Sequence, residues 1–253
     1  MVQERMKFLN TYIDNITMED TIQMIDEYMA DGKYHYIVTP NVDHIVKLEK
    51  DVEFQAVYRD ADLILTDGMP LIWISKFMKN KIKEKISGSD LFPKVCKLAA
   101  NKRYKIFLLG AESGVAEQAA INLKNKYKEL EIAGTYSPEF GFEKDEEAIN
   151  RIIDMINKAK PDILFVGLGA PKQEKFIFKY RDRLKVPVCL AIGASIDFEA
   201  GKIKRAPKWM QKNGLEWLYR IMKEPKRMFK RYFIDAIEIR GILFKYGKIR
   251  NAE

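Results

Sequence analysis

Histidine and cysteine are scarce in this chain, with two of each in 253 residues. His35 and His44 cannot build a histidine-rich metal site, and they leave little room for a histidine base. Cys96 and Cys189 lie about ninety residues apart inside apolar segments, with neither metal-ligand nor redox spacing, so both read as small core residues. Long apolar runs are missing as well. Ile163 to Leu168 and Val186 to Ile192 fall far short of the ~20 residues that a bilayer-spanning helix needs. Met1 to Lys7 is charged and has no apolar stretch followed by small residues, so no secretory leader is expected and the cytoplasm is the expected compartment. No G-x-G-x-x-G follows a strand-like run, which disfavours a nicotinamide-dependent oxidoreductase. Internal repeats and low-complexity linkers are also lacking.

Charge of one sign is not lacking, but it is unevenly placed. The net charge is +8. From Lys202 to the end there are fifteen Lys and Arg against five Asp and Glu, and the first 201 residues hold 29 against 31. A basic surface spread over the whole chain would suggest nucleic acid; here the basic character belongs to the tail. The shift near Gly201 is the one credible boundary, dividing a core at 1–201 from a basic, aromatic appendage at 202–253.

Within the core, short apolar and β-branched segments read as strands: Tyr36 to Thr39, Leu63 to Thr66, Lys105 to Leu109, Ile163 to Leu168 and Val186 to Ile192. Thr17 to Met29, Gly114 to Tyr127 and Glu146 to Ala159 carry apolar residues at helical spacing. Buried strands alternating with helices predict an α/β sandwich, Rossmann-like, around a mainly parallel sheet, because parallel neighbours need crossover connections. Ligands of such sheets bind where the strands' carboxyl ends meet loops and helix N-termini.

Several loops fall at that end. Thr39-Pro40-Asn41 offers short hydrogen-bonding groups suited to sugar hydroxyls, or simply to a turn and a helix cap. Thr66-Asp67-Gly68 sets a carboxylate at a strand end, where it serves either as a base or as the cap of a helix starting near Pro70. Gly110-Ala111-Glu112-Ser113-Gly114 is a weak match to a phosphate-binding turn. The run Gly167-Leu168-Gly169-Ala170-Pro171-Lys172-Gln173-Glu174 is richer, and Lys172 in a first helical turn opposes the macrodipole unless an anion binds there. Asp197 follows the fifth predicted strand and is placed for a ribose or base contact. Asp60-Ala61-Asp62 matches the short D-x-D of metal-dependent glycosyltransferases, but it precedes a strand and reads as a solvated strand start, so no metal site is expected.

Taken in order, these loops resemble a family of bacterial glycosyltransferases that includes the teichoic-acid linkage enzyme and relatives in enterobacterial common antigen and capsule synthesis. The resemblance rests on Thr39-Pro40-Asn41, Thr66-Asp67-Gly68, Gly88 with Asp90-Leu91, and Phe107 to Gly110. It continues through Gly167 to Lys175, Asp197 with Gly201, Lys204 to Pro207, and Gly214-Leu215-Glu216-Trp217-Leu218-Tyr219-Arg220, covering about residues 8 to 232. It implies an inverting transfer, without metal or other cofactor, from a UDP-sugar to a polyprenyl-diphosphate-linked amino sugar, commonly N-acetylglucosamine. N-acetylmannosamine is the leading donor sugar, with UDP-glucose and UDP-N-acetylmannosaminuronate as alternatives. Asp67 matches the family's proposed base, Thr39, Asn41 and Gln173 match residues around the sugars, and Asp197 matches a nucleotide contact. Lys85 stands where the teichoic-acid enzymes carry arginine; it keeps the charge and loses the bidentate fork. Without a metal, the departing UDP needs helix N-termini and cations, for which Arg220, Arg227, Lys230 and Arg231 are the tail's candidates. Gly110, Gly167, Gly169 and Lys172 would form the phosphate or nucleotide loop.

The tail interleaves Trp209, Leu215, Trp217, Leu218, Ile221, Met222, Met228, Phe229, Phe233 and Ile237 with Lys and Arg, which fits either an anionic membrane surface or a helix packed on the core with a solvated basic face, and the resemblance favours the membrane. A peripheral attachment to the inner face of the cell membrane follows as an expectation. Lys245 and Lys248, past the matched stretch, are expected to contribute general attraction alone. Nucleic-acid binding through the tail is the competing reading, opposed by the slightly acidic core. Homo-oligomerisation is left open.

Overall fold

The computed structural model describes residues 5–78 and 81–250; at residue 227 and residues 247–250 it describes the backbone alone. Eight strands occur among the described residues: β1 (Arg5–Phe8), β2 (Thr11–Asp14), β3 (His35–Val38), β4 (Leu63–Ile64), β5 (Lys105–Gly110), β6 (Glu131–Tyr136), β7 (Ile163–Gly167) and β8 (Val188–Ala191). The helices are α1 (Met18–Ala30), α2 (Val42–Leu48), α3 (Val52–Asp60), α4 (Met69–Phe77), α5 (Gly88–Lys102) and α6 (Val115–Lys126). They continue with α7 (Glu146–Ala159), α8 (Lys172–Lys179), α9 (Ser195–Ala200), α10 (Lys208–Lys212), α11 (Glu216–Lys223) and α12 (Pro225–Arg250).

Six strands form one parallel sheet in the order β4-β3-β8-β7-β5-β6, and β1 and β2 form a separate antiparallel hairpin. Side chains alternate between the two faces as period two requires. Tyr36, Val38, Phe107, Leu109, Leu164 and Val166 enter one apolar cluster, while Ile37, Ile106, Leu108, Ile163 and Phe165 enter the other. Helices α2, α3, α4, α7 and α8 cover the first face, and α1, α5, α6 and α9 cover the second. A sheet buried on both faces explains why its strands are apolar throughout.

The predicted strands and helices form within one or two residues of their expected bounds, while strands β1, β2 and β6 and helices such as α3 and α5 went unread. Strand β6 is a half-buried edge strand whose Gly134 leaves room for the Phe107 ring: a Cβ there would lie 2.6 Å from Phe107 Cε2. Hairpin β1–β2 is short, and it holds the sheet edge through Arg5, which pairs with both carboxylate oxygens of Asp14 at 2.9 Å. Asp14 in turn accepts from the backbone N–H of Ile64 at 2.8 Å.

The appendage does not stand apart. Ile239 and Ile242 of α12 belong to the first apolar cluster, and Lys50 pairs with Glu238 at 2.6 Å. Lys245, expected to act by general attraction alone, instead pairs with Glu49 at 2.5 Å and so ties α12 to the end of α2. The side chain of Lys248 lies outside the described residues.

Candidate active site

Beyond the strands' carboxyl ends the chain leaves on alternating faces: α2 after β3 on the first, α9 after β8 on the second, α8 after β7 on the first, α6 after β5 on the second. Loops that diverge in this way leave crevices between strand ends. Two clefts open there. One, of about 310 Å³, is lined by Thr39, Asn41, Asp67, Gly169, Gln173, Arg220 and Arg231. Its neighbour, of about 1090 Å³, is lined by Gly167, Lys172, Asp197, Lys202, Lys204 and Lys223, and the two share Ala194.

Short backbone bonds fix the floor of the smaller cleft. Leu65 N donates to Val38 O at 2.9 Å and Asp67 N to Pro40 O at 2.8 Å, which holds the Thr39-Pro40-Asn41 and Thr66-Asp67-Gly68 loops side by side. Helix α4 begins on Gly68, at φ +95°, with no side-chain cap. Asp67 is therefore not the cap of that helix, and among the described residues nothing donates a hydrogen bond to its carboxylate. Burial raises this carboxyl above the ordinary aspartate value, while the charges of Lys85 and Arg220 pull it back.

Asn41 does cap α2, with Oδ1 facing His44 N at 3.4 Å, and the same oxygen lies 2.8 Å from His44 Nδ1. His44 Nε2 reaches Glu174 Oε1 at 3.1 Å, and Gln173 Nε2 reaches the same oxygen at 2.7 Å. Gln173 Oε1 accepts from Gly193 N at 3.1 Å. Residues from β3, β7 and β8 loops are thus joined by one buried chain of side chains. His44 and Glu174 were not singled out in the sequence: Glu174 is fully buried and meets His44 only across a separation of 130 positions, with no local signal.

Arg220 and Arg231 are brought into the cleft by α11 and α12. The Arg220 guanidinium lies over the Phe198 ring at 5.4 Å, and Arg231 reaches Asp43 at 3.4 Å. Lys230 is exposed and lines neither cleft; the side chain of Arg227 lies outside the described residues. Lys85 also lines neither. It pairs with Asp90 at 2.6 Å and Glu216 at 3.7 Å, and Arg205 joins the same two carboxylates at 2.6 Å and 3.0 Å. This four-charge cluster fastens the start of α11 onto α5. Burial pushes the Asp90 carboxyl up, but Lys85 and the Ser87 hydroxyl outweigh it and hold it below the usual range.

In the larger cleft Lys172 pairs with Glu143 at 2.5 Å and stands over the Phe140 ring at 4.7 Å. Lys202 pairs with Glu112 at 2.5 Å. Gly110 and Gly167 are needed for close packing of strand ends: a Cβ on Gly110 would lie 2.4 Å from Gly167 O, and one on Gly167 2.8 Å from Gly193 O. Gly169 takes φ +77° at the turn before the cis Ala170–Pro171 bond. Asp60 and Asp62 lie at the opposite end of the strands, where Asp62 bonds His35 Nδ1 and Tyr36 N at 2.9 Å each.

A buried carboxylate thus faces cations across a strand-end cleft on a doubly covered parallel sheet, the arrangement of an α/β enzyme, and the family match makes it a glycosyltransferase. The chain belongs to the WecG/TagA/CpsF family of glycosyl transferases, whose sequence profile matches residues 6–253. It is 32% identical over 214 residues to the N-acetylglucosaminyldiphosphoundecaprenol N-acetyl-beta-D-mannosaminyltransferase of Bacillus subtilis (strain 168), covering 84% of this chain and 81% of that one. It is 34% identical to the protein of the same name from Bacillus spizizenii, over 79% and 76% of the two chains. To that of Staphylococcus aureus (strain MW2) it is 29% identical over 88% and 87%.

Proposed function

We propose that this enzyme transfers N-acetylmannosamine from its UDP derivative to a polyprenyl-diphosphate-linked N-acetylglucosamine, at the inner face of the cell membrane. The observation that carries this is the smaller cleft, where Asp67 meets Thr39, Asn41, Gln173, Arg220 and Arg231. The names of the relatives supply the sugar and the lipid-linked acceptor.

Asp67 takes the proton of the acceptor hydroxyl as that oxygen forms its bond to the donor's anomeric carbon. The bond from that carbon to the UDP oxygen breaks on the opposite face, and UDP leaves with the electron pair, so the configuration inverts. Arg220 and Arg231 face the growing negative charge, which a preorganised cation stabilises most where water is excluded. The larger cleft, with Asp197 and the lysines around it, takes the nucleotide. No metal takes part in this scheme: Asp60 and Asp62 lie away from both clefts, and Asp62 already holds His35 and the Tyr36 backbone. Excess chelator should leave turnover unchanged; loss of turnover restored by Mg²⁺ or Mn²⁺ would overturn that point.

Exposed Trp209, Met222, Phe229, Phe233, Ile237 and Phe244 among the tail's basic residues support docking on an anionic bilayer. The test of the whole reading is UDP release from a panel of UDP-sugars with a polyprenyl-diphosphate N-acetylglucosamine analogue. The N-acetylmannosamine donor should be turned over fastest. Preference for UDP-glucose or UDP-N-acetylmannosaminuronate would replace the donor, and release from none would reject the reading.

A further inference from the structure

We propose that the buried His44–Glu174 pair is the positioning device of the sugar pocket, with Glu174 acting through Gln173 and His44 through Asn41. The inference rests on the transfer reading above and adds to it two residues that touch no substrate.

The argument begins with which atom of Gln173 faces which partner. The backbone N–H of Gly193 can only donate, so the Gln173 atom 3.1 Å from it is the carbonyl oxygen. The other side-chain atom is then the amide nitrogen, and it donates to Glu174 Oε1 at 2.7 Å. One backbone donor and one carboxylate acceptor thereby fix the amide against flipping. The NH₂ group carries two hydrogens, and only one is used on Glu174. The second has no acceptor among the described residues, and Gln173 lines the cleft that holds Asp67, so it is available to a sugar hydroxyl or acetamido oxygen.

Glu174 is in turn held by His44. Nε2 of His44 lies 3.1 Å from the same Oε1, and both side chains are almost wholly buried. On the other side of the ring Nδ1 lies 2.8 Å from Asn41 Oδ1. Asn41 lines the cleft with Gln173, so both of its amides hang from one buried pair. Phe54 and Tyr58 pack against the imidazole at ring-centroid distances of 5.9 and 6.3 Å and restrict its movement. A structural ion pair alone would not need to end on two substrate-facing amides. Burying a carboxylate with one oxygen, Oε2, without a hydrogen-bond partner among the described residues is costly, and an orienting role accounts for its being there.

The test is a double-mutant cycle on kcat/KM for the sugar donor, with circular dichroism and thermal melting as checks on the fold. Glu174→Met keeps the volume and removes the acceptor; it should lower kcat/KM by about 10-fold or more, as should Gln173→Ala. The double variant should lose clearly less than the product of the two single losses, because the carboxylate's hold on the Gln173 amide is already gone and only its path through His44 and Asn41 remains. Glu174→Gln retains an oxygen that can accept from Gln173 and His44, and it should restore kcat/KM to within about 3-fold of wild type. Losses that multiply in the double variant would make Glu174 a structural residue and overturn the proposal. So would a folded Glu174→Met at wild-type activity. Should Glu174→Met fail to fold, Glu174→Gln decides: an activity as low as that of Gln173→Ala rejects the assignment. Failure of the transfer reading is seen separately, as a wild-type enzyme that releases no UDP.

Discussion

Asp67 carries its charge at a cost. Its carboxyl is raised by burial, so the folded protein favours the neutral form more than the unfolded chain does. A folded-state value above the unfolded one contributes stability at low pH, and that contribution is lost as pH rises through the folded value. At neutral pH the charged Asp67 is therefore destabilising, which fits the role of base proposed for it. Asp67→Asn should melt at a higher temperature than wild type at pH 7.5 while turnover falls by roughly 100-fold or more. Differential scanning fluorimetry and UDP release on one preparation check both signs, and near-normal turnover in the folded variant would remove Asp67 from the mechanism. The strand-end position of Asp67 left it open between base and helix cap; the structure removes the cap, and the role of base came from the family resemblance. His44 was not legible, since its partner stands 130 positions later and the two meet only in the folded chain.

Elements carry the next level of control. Helix α11 is held at its first residue, Glu216, by Arg205 and Lys85, and Arg220 follows one turn later on the same face. Arg205→Ala should lower stability by about 1–3 kcal/mol, the scale of lost charged hydrogen bonds. It should also reduce kcat by about 10-fold on a soluble acceptor analogue, because Arg220 loses its anchor. A fall in stability with kcat unchanged would separate the cluster from the site. On α12, Asp235 is pushed up to about 6 by burial and by Asp43. Its neutral form suits the folded state, so its contribution is full below the unfolded value and fades as pH rises through about 6. The gain in melting temperature from Asp235→Asn should thus be small near pH 4 and open by pH 7.5; a gap independent of pH would refute this. Neither effect could be read beforehand, because Lys85 and Asp235 each take their role from helices that meet only in three dimensions.

At the scale of the molecule, the alternation of strands and helices was readable because a sheet covered on both faces demands apolar strands, and charge marked the tail's start. What charge could not tell was that the tail is partly core. Met228, Ile239 and Ile242 are buried, so removing residues 202–253 should abolish turnover and binding to anionic vesicles and leave a folded sheet that melts lower. Flotation with vesicles, UDP release and far-ultraviolet circular dichroism on the shortened chain are the measurements. Retained turnover would assign leaving-group stabilisation to the core loops alone. The placing of Arg220 and Arg231 also bears on the protein's birth. Translation runs from the amino end, and domains generally fold in that order. The strands of the sheet and Asp67 all precede the two arginines in the chain, so under the proposed scheme a core still on the ribosome has its base but neither cation for the leaving group. On that scheme a costly nucleotide sugar is spared from discharge until the last helix has docked.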